Sequence, residues 1–288
     1  MLGLFTIPAI LGLGLAYDFI SDQRDEEEEQ TDIRDDPIQI TMAEDAVIFD
    51  GTEAKEHVQA NAHDNTLRGG DGNDKLSGLG GDDTIDAGAG DDRIFGGDGN
   101  DEAIGGAGND RIFLGGGNDV SISSEDGSAD AGDDLIRGGA GQDSIADGYG
   151  SNTIYGDTGR DVISTIDDPL SQGTADTVHG GYGNDTVIGD AGDLLTGGEG
   201  DDNFVVAARS DTSEAPAMLI DFNVQEDLFS VVLLETPDAP PEITFEHLPD
   251  TNQLAAVVNG QQVALLNDID AGDIPFIRTF VTSLAALT

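Results

Sequence analysis

The stretch GGDGNDKLS, residues 69–77, sets one aliphatic side chain, Leu76, behind six residues that are almost all glycine and acid. The next nine residues, GLGGDDTID (78–86), do the same with Ile85, and the pattern runs on through AGAGDDRIF (87), GGDGNDEAI (96) and GGAGNDRIF (105). After an altered LGGGNDVSI (114) and six extra residues, Ser123 to Ser128, the phase returns in ADAGDDLIR (129), GGAGQDSIA (138), DGYGSNTIY (147) and GDTGRDVIS (156). Six more extra residues, Thr165 to Leu170, precede SQGTADTVH (171) and GGYGNDTVI (180), and a shortened GDAGDLLT (189) and GGEGDDNFV (197) close the run. A period this short and this persistent decides the architecture before local propensity does.

Each unit has two physically different halves. Glycines at the second and fourth positions permit positive φ and a tight turn. The eighth position is Leu76, Ile85, Ile94, Ile112, Ile136, Ile145, Ile154, Ile163, Val178, Val187, Leu195 or Phe204, with Ala103 and Ser121 as weak members. Flanked by polar residues, it reads as the inward residue of a three-residue strand. Such a unit has no core of its own and must stack on copies of itself, which predicts an all-β solenoid stabilised by contacts between neighbours.

The sixth position is Asp74, Asp83, Asp92, Asp101, Asp110, Asp119, Asp134, Asp143, Asp161, Asp176, Asp185, Asp193 and Asp202, with Asn152 the departure. If two units make one coil, residues eighteen apart share an edge: Asp74, Asp92 and Asp110 on one, Asp83, Asp101 and Asp119 on the other. Coils at the strand spacing lie about 4.8 Å apart, and carboxylates held that close repel unless a cation lies between them. Hard oxygen ligands from carboxylates and turn carbonyls, in a flexible frame, select Ca²⁺ over a transition metal or Mg²⁺.

The pattern G-G-x-G-x-D-x-U-x resembles the calcium-binding nonapeptide repeat of the RTX family, an assignment for which this repeat is itself a standard signature. The resemblance implies a right-handed parallel β-roll with a β-rich C-terminal cap. Calcium would lie between successive turns, held by the sixth-position aspartates and by carbonyls of the turns around Gly88, Gly90, Gly97, Gly99, Gly106 and Gly108. About ten ions would fill such sites at the weak, extracellular end of the affinity range. The sites near Asp119 and Asn152 are the doubtful ones, because Ser121 replaces an aliphatic residue and Asn152 lacks the charge.

Composition agrees with a chain made for cations. Of 288 residues, 59 are acidic and 11 basic, a net charge of −48. Self-repulsion on that scale opposes compaction, and it makes nucleic acid an unsuitable partner, since that needs clustered Lys and Arg. There is no cysteine, so disulfides and thiolate sites are excluded.

Only Gly3, Gly12, Gly14, Gly51, Gly260 and Gly272 of the 41 glycines lie outside 69–205, and this divides the chain. An apolar segment, 1–20, is near the short limit of a membrane span and is the only part suited to membrane contact; a small helix or a disordered end fits it as well. An acidic linker follows over 21–36. Residues 37–68 read as capping rungs without metal, with Glu56 and Asn65 at the sixth position and Val58 and Leu67 at the eighth. The roll proper spans 69–205. The tail, 206–288, reads as a β-rich cap: MLIDFNVQEDLFSVVLL from Met218 is similar to the segment that follows the repeats in RTX proteins. Asn259-Gly260 suits a two-residue hairpin turn. The ending FIRTFVTSLAALT is compatible with the uncleaved type I secretion signal that the family carries. The two six-residue inserts are expected to loop out, as surface insertions do cheaply.

Catalytic patterns are missing. His57, His63, His179 and His247 lack H-E-x-x-H spacing, no G-x-S-x-G elbow occurs, and Leu76 stands where an EF-hand starting at Asp71 needs glycine. The reading is a non-enzymatic, secreted or cell-surface calcium-binding protein that folds on meeting extracellular calcium. Its role would be structural or adhesive, with extracellular polysaccharide or a cell surface as partner. The alternative is an accessory module of a secreted hydrolase, or such an enzyme with its site in 206–288.

Overall fold

A computed structural model of the chain describes residues 37–122, 132–167, 174–209, 215–234, 243–248, 250–269, 272–274, 277 and 279–283. The apolar segment 1–20, the acidic segment 21–36, the whole first insert and residues 168–170 of the second lie outside the described residues.

The described residues contain no helix long and apolar enough to cross a membrane. They form 24 strands in two sheets of 13 and 11; successive strands alternate between the two as far as Leu228–Leu233, after which Ile243–Leu248, Gln253–Val258 and Gln261–Asn267 all join the sheet of 13. We call these the first and second sheets. Within the array every pairing is parallel and, between full-length uninterrupted units, eighteen residues apart, as Leu76 opposes Ile94 in the first sheet and Ile85 opposes Ala103 in the second; across the shortened unit the interval is seventeen, with Val178 opposite Leu195. Two units therefore make one coil, and the architecture is a parallel β-roll.

The strands are longer than the three residues expected. Lys75–Gly80 and Arg93–Asp98 run six residues, from the seventh position of one unit through the third of the next. Because coils stack in strict register, the glycine-rich backbone goes on pairing, with Leu79 opposite Gly97 and Gly80 opposite Asp98. The turn is made at positive φ on both sides of it, as at Gly97 (126°) and Gly99 (139°).

Eighth-position side chains of the two sheets fill the interior. Leu76, Ile94, Ile112, Ile154, Val178 and Leu195 face Leu67, Ile85, Ile145, Ile163, Val187 and Phe204, all essentially inaccessible to water. Each such burial is worth about 1.5–3 kcal/mol; Ile104 and Leu114 are buried as well, in the units whose eighth positions are Ala103 and Ser121. Ala103 and Ser121 are buried in the same column, and the Ser121 hydroxyl has no hydrogen-bond partner. The first strands, Ile38–Thr41 and Ile48–Asp50, pair with Glu56–Gln59 and Thr66–Asp71, so the rungs before residue 69 continue the same stack.

Across the inserts the register steps by 24, with Ile112 opposite Ile136 and Ile163 opposite Val187. The extra residues thus leave the stacking intact. The second insert does not loop out from its first residue, however. Thr165 and Asp167 are buried, and the Thr165 amide still bonds the Ile188 carbonyl at 2.9 Å, so the coil keeps the start of the insert within its wall.

At the C-terminal end the strand Ala217–Leu219 pairs in parallel with Leu194–Glu199 and with Gln261–Asn267. Gln253–Val258 and Gln261–Asn267 form an antiparallel hairpin, turned by Asn259 (φ 52°) and Gly260 (φ 86°) as the dipeptide requires. Phe204, Phe222, Phe229 and Phe245 follow one another at ring distances of 5.9–6.4 Å, closing the open end of the aliphatic column. Part of the ending considered as a secretion signal, Thr279–Ser283, is a strand beside Leu228–Leu233.

Candidate metal sites

The sixth-position residues form two continuous ladders, one on each edge of the roll. On one edge each backbone amide donates to Oδ1 of the residue one coil later: Glu56 to Asp74, Asp74 to Asp92, Asp92 to Asp110, Asp110 to Asp134, Asp134 to Asn152, Asn152 to Asp176 and Asp176 to Asp193, at 2.6–2.9 Å. On the other the order is Asn65, Asp83, Asp101, Asp119, Asp143, Asp161, Asp185, Asp202 and finally Asp227, at 2.7–2.9 Å. All the predicted aspartates are buried, and spacing alone placed them on the edges where they lie.

One carboxylate oxygen is thereby consumed by the backbone. The other, Oδ2, is buried without a hydrogen-bond partner at Asp74, Asp83, Asp92, Asp101, Asp119, Asp143, Asp161, Asp176 and Asp185. An unpartnered buried carboxylate oxygen is costly, and a nine-fold repeat of it calls for a common ligand. Asp119 is no exception in this respect, in spite of Ser121.

The glycine at the first position, which the sequence reading passed over, shapes the space beside that oxygen. A Cβ on Gly96 would stand 2.4 Å from Asp101 Oδ2 and 2.4 Å from the Leu114 carbonyl oxygen of the next coil. On Gly78 it would meet Asp83 Oδ2 at 2.0 Å and the Gly96 carbonyl oxygen at 2.7 Å. Glycine there leaves a carboxylate oxygen and a main-chain carbonyl facing the same small space. Second- and fourth-position glycines are held by contact with the preceding coil: a Cβ on Gly88, Gly97 or Gly106 would fall within 2.2 Å of a carbonyl oxygen, and Gly90, Gly99 and Gly108 are as tight. Among the described residues no three acidic or histidine side chains converge as a metal cluster, so a cation here must draw much of its shell from main-chain carbonyls. That donor set, hard oxygen throughout, fits Ca²⁺.

Asn152 tests this reading. It keeps the ladder through Oδ1, but its Nδ2 donates to the Tyr149 carbonyl at 3.1 Å. Where an aspartate leaves Oδ2 without a partner, this N–H finds a main-chain acceptor, so the rung holds together without a cation. Asn65 does the same at the N-terminal end, donating to the Ala46 carbonyl at 3.2 Å.

Burial is the first cause of a raised pKa along both ladders. It pushes Asp83, Asp92 and Asp161 up to about 7 and Asp176 to about 8, with neighbouring carboxylates adding to the rise at each. Asp101, Asp119 and Asp202 are pushed to about 6 by the same burial.

Two predicted positions differ from the rest. Asp193 Oδ2 accepts from Thr165 Oγ1 and from the Asp190 amide, at 2.9 and 2.8 Å, so both its oxygens are engaged by the protein. Asp134 shares a side-chain hydrogen bond with Asp147, an acid standing where most units have their first glycine. Both are weaker ligand candidates than their spacing implied.

Sequence reasoning also missed two tail residues. Asp227 ends the second ladder, and its D-x-U-x context, Asp227-Leu228-Phe229-Ser230, is the repeat's own signal stripped of glycines. Asp221 accepts from the Gly197 and Gly198 amides, both at 2.9 Å, terminating backbone donors that a further coil would otherwise meet. A ladder at the fifth position, of opposite polarity, was not anticipated either: Asn100 donates its amide back to Asp82 Oδ1 and Asn118 to Asn100 Oδ1, at 2.8 and 2.9 Å. A short polar residue beside the sixth-position acid was its only mark.

Family comparison agrees with the geometry. The model of the RTX calcium-binding nonapeptide repeat matches in four copies, at residues 59–94, 86–120, 128–163 and 172–204. No curated protein matches the chain. Through the repeats of residues 59–204, with their paired ladders of buried aspartates, the chain belongs to the RTX family of calcium-binding nonapeptide-repeat proteins.

Proposed function

We propose that this calcium-binding β-roll is secreted or displayed at a cell surface, folds when it meets extracellular calcium, and serves a structural or adhesive rather than catalytic role. The observation that carries the reading is the repeated buried Oδ2 without a partner, in a chain of net charge −48. Bound calcium supplies positive charge between carboxylates that otherwise repel. A ligand taken up only by the folded state stabilises it by RT ln(1 + [L]/Kd) per site, and sites stacked one on another act together. Where calcium is scarce, charge repulsion among the ladder aspartates favours the unfolded chain, the form suited to export. About ten sites at the weak extracellular end of the range would offset some 20 of the negative charges.

Far-ultraviolet circular dichroism of the full chain, titrated with Ca²⁺ and separately with Mg²⁺, tests this. A cooperative gain of β signal with Ca²⁺ at concentrations where Mg²⁺ has no effect is expected. A chain equally folded in chelator would overturn calcium-coupled folding.

A further inference from the structure

The outer face of the first sheet concentrates the few cations of this acidic chain. Lys75, Arg93 and Arg111 are exposed at the seventh position of consecutive strands, and none of them makes an ion pair among the described residues. Beside them the ninth-position column reads Phe95, Phe113, Arg137, Tyr155 and His179. Neither column holds an acidic residue over these strands, although Asp91 and Asp98 border the face. The second sheet has Thr84, Glu102 and Val120 at its seventh positions, so the basic stripe belongs to one face.

The stripe is stiff. Phe95 and Phe113 stack at 5.3 Å and 10°, Tyr155 and His179 at 4.8 Å and 11°. Lys75 Nζ lies 5.3 Å from the centre of the Phe95 ring and Arg137 Cζ 5.3 Å from that of Tyr155. Arg137 is also fixed by Asp157, with Nε to Oδ2 at 2.9 Å. The rings turn their faces to each other and to these cations, so what they present outward is their electropositive edges. An open groove of about 410 Å³ continues the stripe past Gln39, His57, Lys75, Ser77 and Phe95.

We propose that this face binds a linear acidic polysaccharide, a polyuronate, along the axis of the roll. Cations on successive strands recur about every 4.8 Å, close to the rise of one sugar in an extended pyranose chain, so one carboxylate per sugar meets one cation per coil. Hydroxyl and carboxylate oxygens suit the ring edges. Nucleic acid fits less well, because single-strand binding relies on open ring faces for the bases and these faces are taken. The proposal rests on the adhesive reading above and places the sugar on a basic face rather than on calcium at the acidic edges.

The test uses the calcium-loaded full chain, a uronate hexasaccharide and a neutral hexasaccharide of the same size, with binding read by calorimetry. An Arg93→Glu/Arg111→Glu double variant probes the face; glutamate already occupies this repeat position at Glu102. Arg160→Glu, an exposed turn residue outside the stripe, is the control, and circular dichroism reports folding. The expected result is uronate binding that is at least about tenfold weaker for the neutral sugar and for the double variant, a loss typical of removing interfacial charges, with the control unchanged.

Uronate binding retained by the folded double variant would overturn the proposal and assign the sugar to calcium at the acidic edges, leaving the adhesive reading standing. A single-stranded oligonucleotide bound better than the uronate, and lost in the variant, would make nucleic acid the partner instead. Concentration-dependent self-association abolished by the variant, without uronate binding, would assign the face to a second copy. Failure of calcium-coupled folding would show separately, in the dichroism of the unliganded protein.

Discussion

The amide of Asp83 donates to Oδ1 of Asp101, one coil further on, at 2.8 Å, while Oδ2 of Asp101 lies buried against the glycine of its own turn. One side chain thus has two separable duties, a hydrogen bond that ties coil to coil and a charge that requires a cation. Asp101→Asn keeps the first and removes the second. It should fold at saturating calcium but need more calcium to do so, and calorimetry should count fewer bound ions. Asp101→Ala also strands the Asp83 amide, a further loss of about 1–3 kcal/mol, measured by denaturant titration in saturating calcium.

Asn152→Asp should act in the opposite sense. The substitution replaces the Nδ2 donor to Tyr149 with a buried anionic oxygen beside a carbonyl. In chelator the variant should be less stable than the natural chain, and its folding should depend more steeply on calcium. Identical calcium dependence would show that this rung does not distinguish an amide from a cation.

First-position glycine is a packing requirement, separable from turn geometry. Gly96→Ala should lower stability in calcium by about 1–3 kcal/mol or more, as overpacking does, because its Cβ would meet both Asp101 Oδ2 and the Leu114 carbonyl. Gly80→Ala is the matched control: its Cβ would approach nothing nearer than 3.4 Å. Thermal unfolding of the two variants should separate them clearly.

Acid should act oppositely on the calcium-free and calcium-loaded protein. Folded-state pKa values of about 7 for Asp83, Asp92 and Asp161, and about 8 for Asp176, lie above the ordinary carboxylate value of 3.8. A raised value means the folded chain binds protons more tightly than the unfolded one. Its stabilising contribution is complete below the ordinary value and is lost as pH rises through about 7 to 8. In chelator, structure should therefore increase as pH falls from 8.5 toward 5. The same protons compete with calcium, so the calcium midpoint should rise over that range. Dichroism at a series of pH values, with and without calcium, checks both signs.

Asp221→Ala should loosen the C-terminal end of the roll. It leaves the Gly197 and Gly198 amides without their acceptor, and hydrogen exchange at those amides should quicken while the first coils stay protected.

The nine-residue period by itself determined the roll, the two-unit coil and the edge on which each aspartate lies, because parallel coils in strict register turn a sequence interval of eighteen into contact. It also marked the inward aliphatic column and the Asn259-Gly260 turn, both of which rest on local chemistry. What stacking adds was not legible from a single unit. The division of labour between Oδ1 and Oδ2 appears only when the amide of the preceding coil is in place. The need for glycine at the first position comes from a carbonyl one coil away. Asp193 keeps its place in the ladder yet differs in chemistry, because the shortened unit and the insert bring Thr165 and Asp190 against it. Asp221 and Asp227 are functional only because the tail folds back to end the two sheets. The basic and aromatic stripe, scattered over a hundred residues of an acidic sequence, becomes a surface because the tertiary stacking places one residue from each coil beside the last.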